Sequence, residues 1–165
     1  MRALLQRVTH PSVRVNGELV GEIGPGLVVF VGIARGDLET DGDYLAEKLA
    51  NLRIFPDAEG RFNLSALDTK ADLLPVSQFT LCAETRKWRR PSFIEAAGPE
   101  EAKELFESFL RRLSTTGLKV TTGRFQAHML VEVHNDRPVT IMLDSFDRSP
   151  NRKGDPKASR QHDPI

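Results

Sequence analysis

Residues 2 to 33, RALLQRVTHPSVRVNGELVGEIGPGLVVFVGI, decide the fold. Residues 2 to 9 and 12 to 15 alternate apolar with polar side chains, the period of a strand with one buried face. Asn16-Gly17 follows, the pair preferred in a two-residue hairpin turn, so the chain opens with antiparallel strands. After Gly24-Pro25-Gly26, the run Leu27-Val28-Val29-Phe30-Val31-Gly32-Ile33 is continuous and rich in β-branched residues. That pattern predicts a core strand covered on both faces.

Working outward, the spacing of Tyr44, Leu45, Leu49 and Leu52 predicts a helix near residues 41 to 52, with Thr40 or Asp41 as its N-cap. A second helix starts at Pro99. Glu100, Glu101 and Glu104 suit the positive end of its dipole, and Arg111 and Arg112 the negative end. Its apolar stripe is Ala102, Leu105, Phe106, Phe109, Leu110 and Leu113. Further strands are expected at Leu73 to Leu81 and Leu118 to Thr122. Another pair, Met129 to Val133 and Val139 to Leu143, is joined by His134-Asn135-Asp136-Arg137-Pro138. Together these define an α+β class of mostly antiparallel sheets with two main helices. One domain is expected over residues 1 to 147. From residue 148 to 165 apolar residues almost vanish, which predicts a flexible tail.

Composition excludes several classes of function. The 165 residues are 39% hydrophobic and 28% charged, and no apolar run approaches the roughly 20 residues of a membrane-spanning helix. No secretory signal is evident, and the single Cys82 can form no internal disulfide, so the expected compartment is the cytoplasm. Twenty-three basic and 23 acidic residues cancel, so nucleic-acid binding has to be local. Arg86-Lys87-Trp88-Arg89-Arg90 is such a place: four cations can neutralise phosphates and one ring can stack on a base. Composition alone favours the other reading, a solvated loop. No phosphate-cradling loop, GxSxG elbow or metal-ligand spacing around His10, His128, His134 and His162 is present. The expectation is therefore no nucleotide cofactor and no metal, with Cys82 a small buried apolar residue.

Two segments stand apart: Ser77-Gln78-Phe79-Thr80-Leu81 and Asn135-Asp136-Arg137-Pro138-Val139-Thr140. Together they resemble the SQFTL and NxGPVT signatures of the D-aminoacyl-tRNA deacylase family. MRALLQRV, GEIGPGLVVFVGI, RIFPDAEGRFN, RRPSF and GRFQAHM resemble the same family, and the likeness runs from Met1 to about Ser145. It implies a homodimeric hydrolase that clears D-amino acids, and glycine, from tRNA, with the acceptor end as its partner and the two signatures meeting across the subunit interface. By that likeness Ser77, Gln78 and Thr80 are the catalytic segment. Phe79, Met129 and Asn135 bind the terminal adenosine and ester, and Arg7 braces the loop. The 137–138 peptide, held cis, reads chirality through its carbonyls. Arg86, Lys87, Arg89 and Arg90 would contact tRNA phosphates. An activated ester needs only a positioned water and oxyanion donors, so Thr80 is expected to orient rather than attack, with the nucleophilic role as the alternative. Four positions depart from the family: Arg137 stands for its Gly, Trp88 for Gly, and Gln126 with His128 for small and acidic residues. Impaired or chirality-relaxed deacylation is the alternative these departures raise.

Overall fold

The computed structural model describes residues 1–86 and 89–148. Lys87, Trp88 and the chain beyond Arg148 lie outside them. Strand β1 (Arg2–Val8) pairs antiparallel with β4 (Gly26–Gly32), in register from Arg2 opposite Gly32 to Val8 opposite Gly26. On its other side β1 pairs antiparallel with β9 (Asn135–Asp144), and β7 (Asp72–Ser77) lies parallel to β4. The resulting sheet has the order β7-β4-β1-β9. A smaller antiparallel sheet, β3-β2-β8, is built from β2 (Ser12–Val15), β3 (Glu18–Glu22) and β8 (Met129–Glu132). The β2-β3 turn has Asn16 at φ 51° and Gly17 at φ 83°, the doubly left-handed turn that Asn-Gly accommodates. A third, two-stranded piece pairs β5 (Phe55–Pro56) with β6 (Phe62–Leu64).

Helices α1 (Glu39–Asn51) and α3 (Pro99–Ser114) cover the large sheet, and a short α2 (Ala66–Thr69) links β6 to β7. Leu27, Val29 and Val31 of β4 meet Leu45, Leu49, Phe106, Phe109 and Leu113 in one core. Each such side chain contributes about 1.5–3 kcal/mol when fully buried. Of the expected α3 stripe, Phe106, Phe109 and Leu113 are buried, while Ala102, Leu105 and Leu110 pack at its margin.

Helix α1 begins two residues earlier than its pattern suggests. Asp41 does not precede the helix: from the third helical position its carboxylate accepts the Leu38 N–H at 2.8 Å. Burial pushes its carboxyl up, but the Leu38 N–H, the Ser145 hydroxyl, the Met1 ammonium and Arg148 outweigh burial and hold it below the ordinary range. The Met1 ammonium is itself buried, paired with Asp37 at 2.7 Å and donating to Ser145 Oγ at 2.8 Å. Arg148, assigned to the tail by its composition, closes a short 3-10 turn (Ser145–Arg148) and donates to the Thr40 carbonyl at 2.6 Å.

Three strand expectations need correction. Residues 118 to 122 touch β7 through a single bridge, Leu73 with Val120, with Leu73 N–H donating to Lys119 and Thr121 N–H donating back to Leu73. Strand β7 stops at Ser77, and Phe79–Cys82 turns into a 3-10 helix. Finally, β8 and β9 do not form a hairpin: β8 pairs with β2 and β9 with β1. The β1-β2 and β8-β9 connections pass between the two sheets side by side, tied by the Thr9 N–H donating to the His134 carbonyl at 3.2 Å. Alternation identifies a strand; it does not say which neighbour completes its ladder.

Candidate active site

Where β7 ends, the Gln78 N–H donates to the Val31 carbonyl at 2.7 Å and the chain turns over the end of β4. This crossing is close. A Cβ on Gly32 would lie 2.8 Å from Leu81 Cβ and 3.1 Å from the Gln78 carbonyl, so only glycine lets the turn seat there. Arg2 holds the far side by donating to the Leu81 carbonyl at 2.8 Å. Within the turn Gln78 Nε2 donates to the Thr80 hydroxyl. Thr80 is exposed, and among the described residues no His, Asp or Glu is hydrogen-bonded to its hydroxyl, so no base stands ready to activate it.

Beside the turn opens a cleft of about 690 Å³. Its aromatic walls are Phe79, Phe93 and Phe125. Phe79 is 56% exposed, and its ring meets Phe93 edge-on with centroids 5.0 Å apart. Met129 and Val131 of β8 also line it, and among the described residues its polar side chains are Ser77, Gln78, Gln126 and His128. An apolar slot with a few polar atoms suits a flat heterocycle that stacks and is then read along one edge. Phe93, Phe125 and Gln126 are not among the site residues expected from the sequence, although Gln126 is one of the positions that depart from the family. Phe93 and Phe125 lie in the RRPSF and GRFQAHM blocks, which carried the signal.

The second signature is elsewhere. Val8 of β1 faces Asn135, yet Gln6 faces Thr140, so residues 136 to 139 are looped out of the ladder. Asn135 closes this loop: Oδ1 accepts the Val139 N–H at 2.8 Å and Nδ2 donates to Thr140 Oγ1 at 2.8 Å. Its amide serves the loop and does not line the cleft. Arg7, 2% exposed, lies beneath the loop. It donates to Asp136 Oδ2 at 3.0 Å, to the Asp136 carbonyl at 3.4 Å and to the Ile54 carbonyl at 2.7 Å, and its guanidinium stacks 5.5 Å from the Phe62 ring. The expected cis bond is absent: no described peptide is cis, so Arg137-Pro138 is trans. The trans form before proline is favoured by about 0.5–1 kcal/mol unless surroundings impose cis, and both residues are exposed. Arg137 instead bends the loop through φ 85°, a left-handed conformation that glycine would adopt freely.

Within one chain the two signatures do not meet. They sit on opposite edges of a four-stranded sheet, three strand spacings or roughly 14 Å apart. They also lie at opposite ends of β1, which adds roughly 17–20 Å along the strands. The diagonal is roughly 20–25 Å. In the basic segment, Arg86 pairs with Glu84 at 2.5 Å, and that guanidinium holds the Glu84 carboxyl down to about 2. One cation of the cluster is thus already matched. Arg89 and Arg90 are exposed.

The fold is α+β, with the SQFTL turn beside an aromatic cleft. The family model described as D-Tyr-tRNA(Tyr) deacylase matches residues 4–144, and the chain belongs to that family. It is 60% identical over 148 residues to a D-aminoacyl-tRNA deacylase of Dehalococcoides mccartyi, covering 90% of this chain and 97% of that one. A D-aminoacyl-tRNA deacylase of Desulforamulus reducens is 54% identical over 145 residues, covering 88% and 97%. Among solved structures, a c-Myc DNA unwinding element binding protein superposes with a TM-score of 0.83 at 39% identity, covering 87% of this chain and 98% of that one. A probable eukaryotic D-amino acid tRNA deacylase superposes with a TM-score of 0.75 over the same shares at 18% identity, a likeness of fold.

Proposed function

We propose that this chain hydrolyses the ester joining a D-amino acid to the terminal adenosine of tRNA, releasing free tRNA and the D-amino acid as chiral proofreading in translation. Glycyl-tRNA is a second substrate, since glycine has no side chain to reject. The observation that carries the reading is an intact SQFTL turn beside an aromatic cleft, in a chain 54–60% identical to proteins named D-aminoacyl-tRNA deacylase. The adenine stacks against Phe79 and packs on Met129, which leaves the ester beside Ser77, Gln78 and Thr80. The ammonium-activated ester needs a positioned water, and the N–H groups heading the 79–82 turn, which lack partners inside it, are the available oxyanion donors. Thr80, tied to Gln78, orients.

The working form is a homodimer in the cytoplasm. A signature loop roughly 20–25 Å from the cleft of its own chain can reach a cleft only on a second copy. Arg137 and Pro138 of one copy then face the ester bound by the other, with Arg7 and Asn135 setting the loop, and Arg86, Lys87, Arg89 and Arg90 meet the acceptor-stem phosphates. The test is turnover of D-Tyr-tRNA, Gly-tRNA and L-Tyr-tRNA side by side, with sedimentation of the same sample. The first two should be cleared and the third spared, by a dimer. L-Tyr-tRNA cleaved as fast as D-Tyr-tRNA would overturn the chiral reading, and a fully active monomer the dimer.

A further inference from the structure

We propose that Gln126 is a specificity-determining residue that identifies the base in the cleft as adenine through the paired donor and acceptor of its amide. The proposal rests on the deacylase reading above and adds to it the group that reads the base.

A base stacked between aromatic rings is held by its faces, which every base possesses, so stacking on Phe79 does not say which base is bound. Identity must come from polar groups at the ring edge. The lining offers Ser77, Gln78, Gln126 and His128. Adenine presents an amino donor next to a ring-nitrogen acceptor, and the side chain that matches both at once is an amide. A serine hydroxyl and a neutral imidazole offer no such rigid fork. Of the two amides, Gln78 is tied by its Nε2 to the Thr80 hydroxyl, which holds it to the turn beside the ester and leaves it one N–H to offer a base. Gln126 has no side-chain hydrogen bond among the described residues, and its side chain stands exposed at the cleft.

Its backbone supplies a second, independent sign. Gln126 has φ 60°, in a turn closed by the Ala127 N–H donating to the Arg124 carbonyl at 3.2 Å. Glycine or asparagine holds that conformation at lower cost, so a long amide placed there is maintained against local preference. The turn is also anchored to the cleft wall. A Cβ on Gly123 would lie 2.6 Å from Met129 Sδ, so the thioether that lines the slot packs directly over the start of the turn that carries Gln126.

The test uses D-Tyr-tRNA ending in adenosine against the same tRNA ending in inosine. On the N6/N7 edge, hypoxanthine replaces the amino donor with a carbonyl beside the N7 acceptor, so with the amide turned either way Gln126 Oε1 faces an acceptor. The wild type should favour adenosine by about tenfold or more in kcat/KM, the scale of one bidentate base contact, with the difference in KM. Gln126→Ala should collapse the ratio to within about threefold by raising KM for adenosine while kcat holds. Gln126→Glu, which keeps the size but only accepts, should fall between. A wild type indifferent to the base, or a Gln126→Ala variant that keeps the tenfold preference, overturns the proposal. Should the wild type hydrolyse neither tRNA, the deacylase reading falls. Equilibrium binding of adenosine against inosine then decides the base reading separately: a preference lost in Gln126→Ala supports it, and equal binding by the wild type ends it.

Discussion

Replacing Arg7 with Met removes the guanidinium beneath the 136–139 loop while keeping most of the side-chain volume. The largest loss is the 2.7 Å bond to the Ile54 carbonyl, because that acceptor is left inside without a partner, at about 1–3 kcal/mol. The ion pair with Asp136 adds less: the Arg7 side chain is 3% exposed but that of Asp136 is 43% exposed, so solvent screens the pair to about 1 kcal/mol or below. Stacking on Phe62 contributes about 0.5–1 kcal/mol. A total of about 2–4 kcal/mol follows, or a fall in Tm of about 10 °C for a domain of this size. Urea unfolding and thermal melts measure it. The structure also predicts an asymmetry: Asp136→Asn, which touches only the screened partner, should cost about 1 kcal/mol or less. Arg7→Lys keeps the charge but cannot span both carbonyls and the carboxylate, and should recover at most half of the stability lost in Arg7→Met. Because the loop is expected to face a partner's ester, both Arg7 variants should also lose deacylation in the folded fraction. Arg7→Met within about 0.5 kcal/mol of wild type, or costing no more than Asp136→Asn, would refute the bracing role.

Three other outcomes are expected. Substituting Arg86, Lys87, Arg89 and Arg90 together should weaken tRNA binding and flatten its salt dependence by up to about three contacts' worth rather than four, since Arg86 is paired with Glu84; an unchanged slope returns the segment to a solvated loop. Asp41 has its folded pKa held below the ordinary 3.8, so its contribution is fully present above that value and lost as pH falls through the lower folded value. Asp41→Asn should therefore be less stable at neutral pH and lose less on acidification, and urea titrations between pH 2 and 7 that show parallel curves would contradict this. Arg137→Gly relaxes a residue at φ 85° and should leave stability unchanged or raised by up to about 1 kcal/mol. The ratio of D-Tyr to L-Tyr deacylation should stay within about tenfold, and a much larger gain in selectivity would assign Arg137 itself a part in choosing the substrate.

Sequence alone determined whatever depends on neighbours along the chain. Alternation in residues 2 to 15, the Asn16-Gly17 turn and the apolar run of β4 are local patterns, and each became the element expected. Pro99 and the Phe106, Phe109 and Leu113 spacing likewise specified α3, and the SQFTL segment marked the cleft. Pairing was not legible in this way: the alternation of β8 and β9 fits a hairpin as well as two strands in separate sheets, and only the shared switch at Thr9 and His134 decides between them. The same holds for the site. Phe93, Phe125 and Gln126 come to the Phe79 cleft from segments far along the chain, and the 136–139 loop is carried to the opposite corner of the sheet by the order β7-β4-β1-β9. Spacing in sequence carries no information about distance across a sheet, because hydrogen-bonded neighbours are chosen by the packing of whole faces; that is why the distance between the two signatures within a single chain had to come from the tertiary structure.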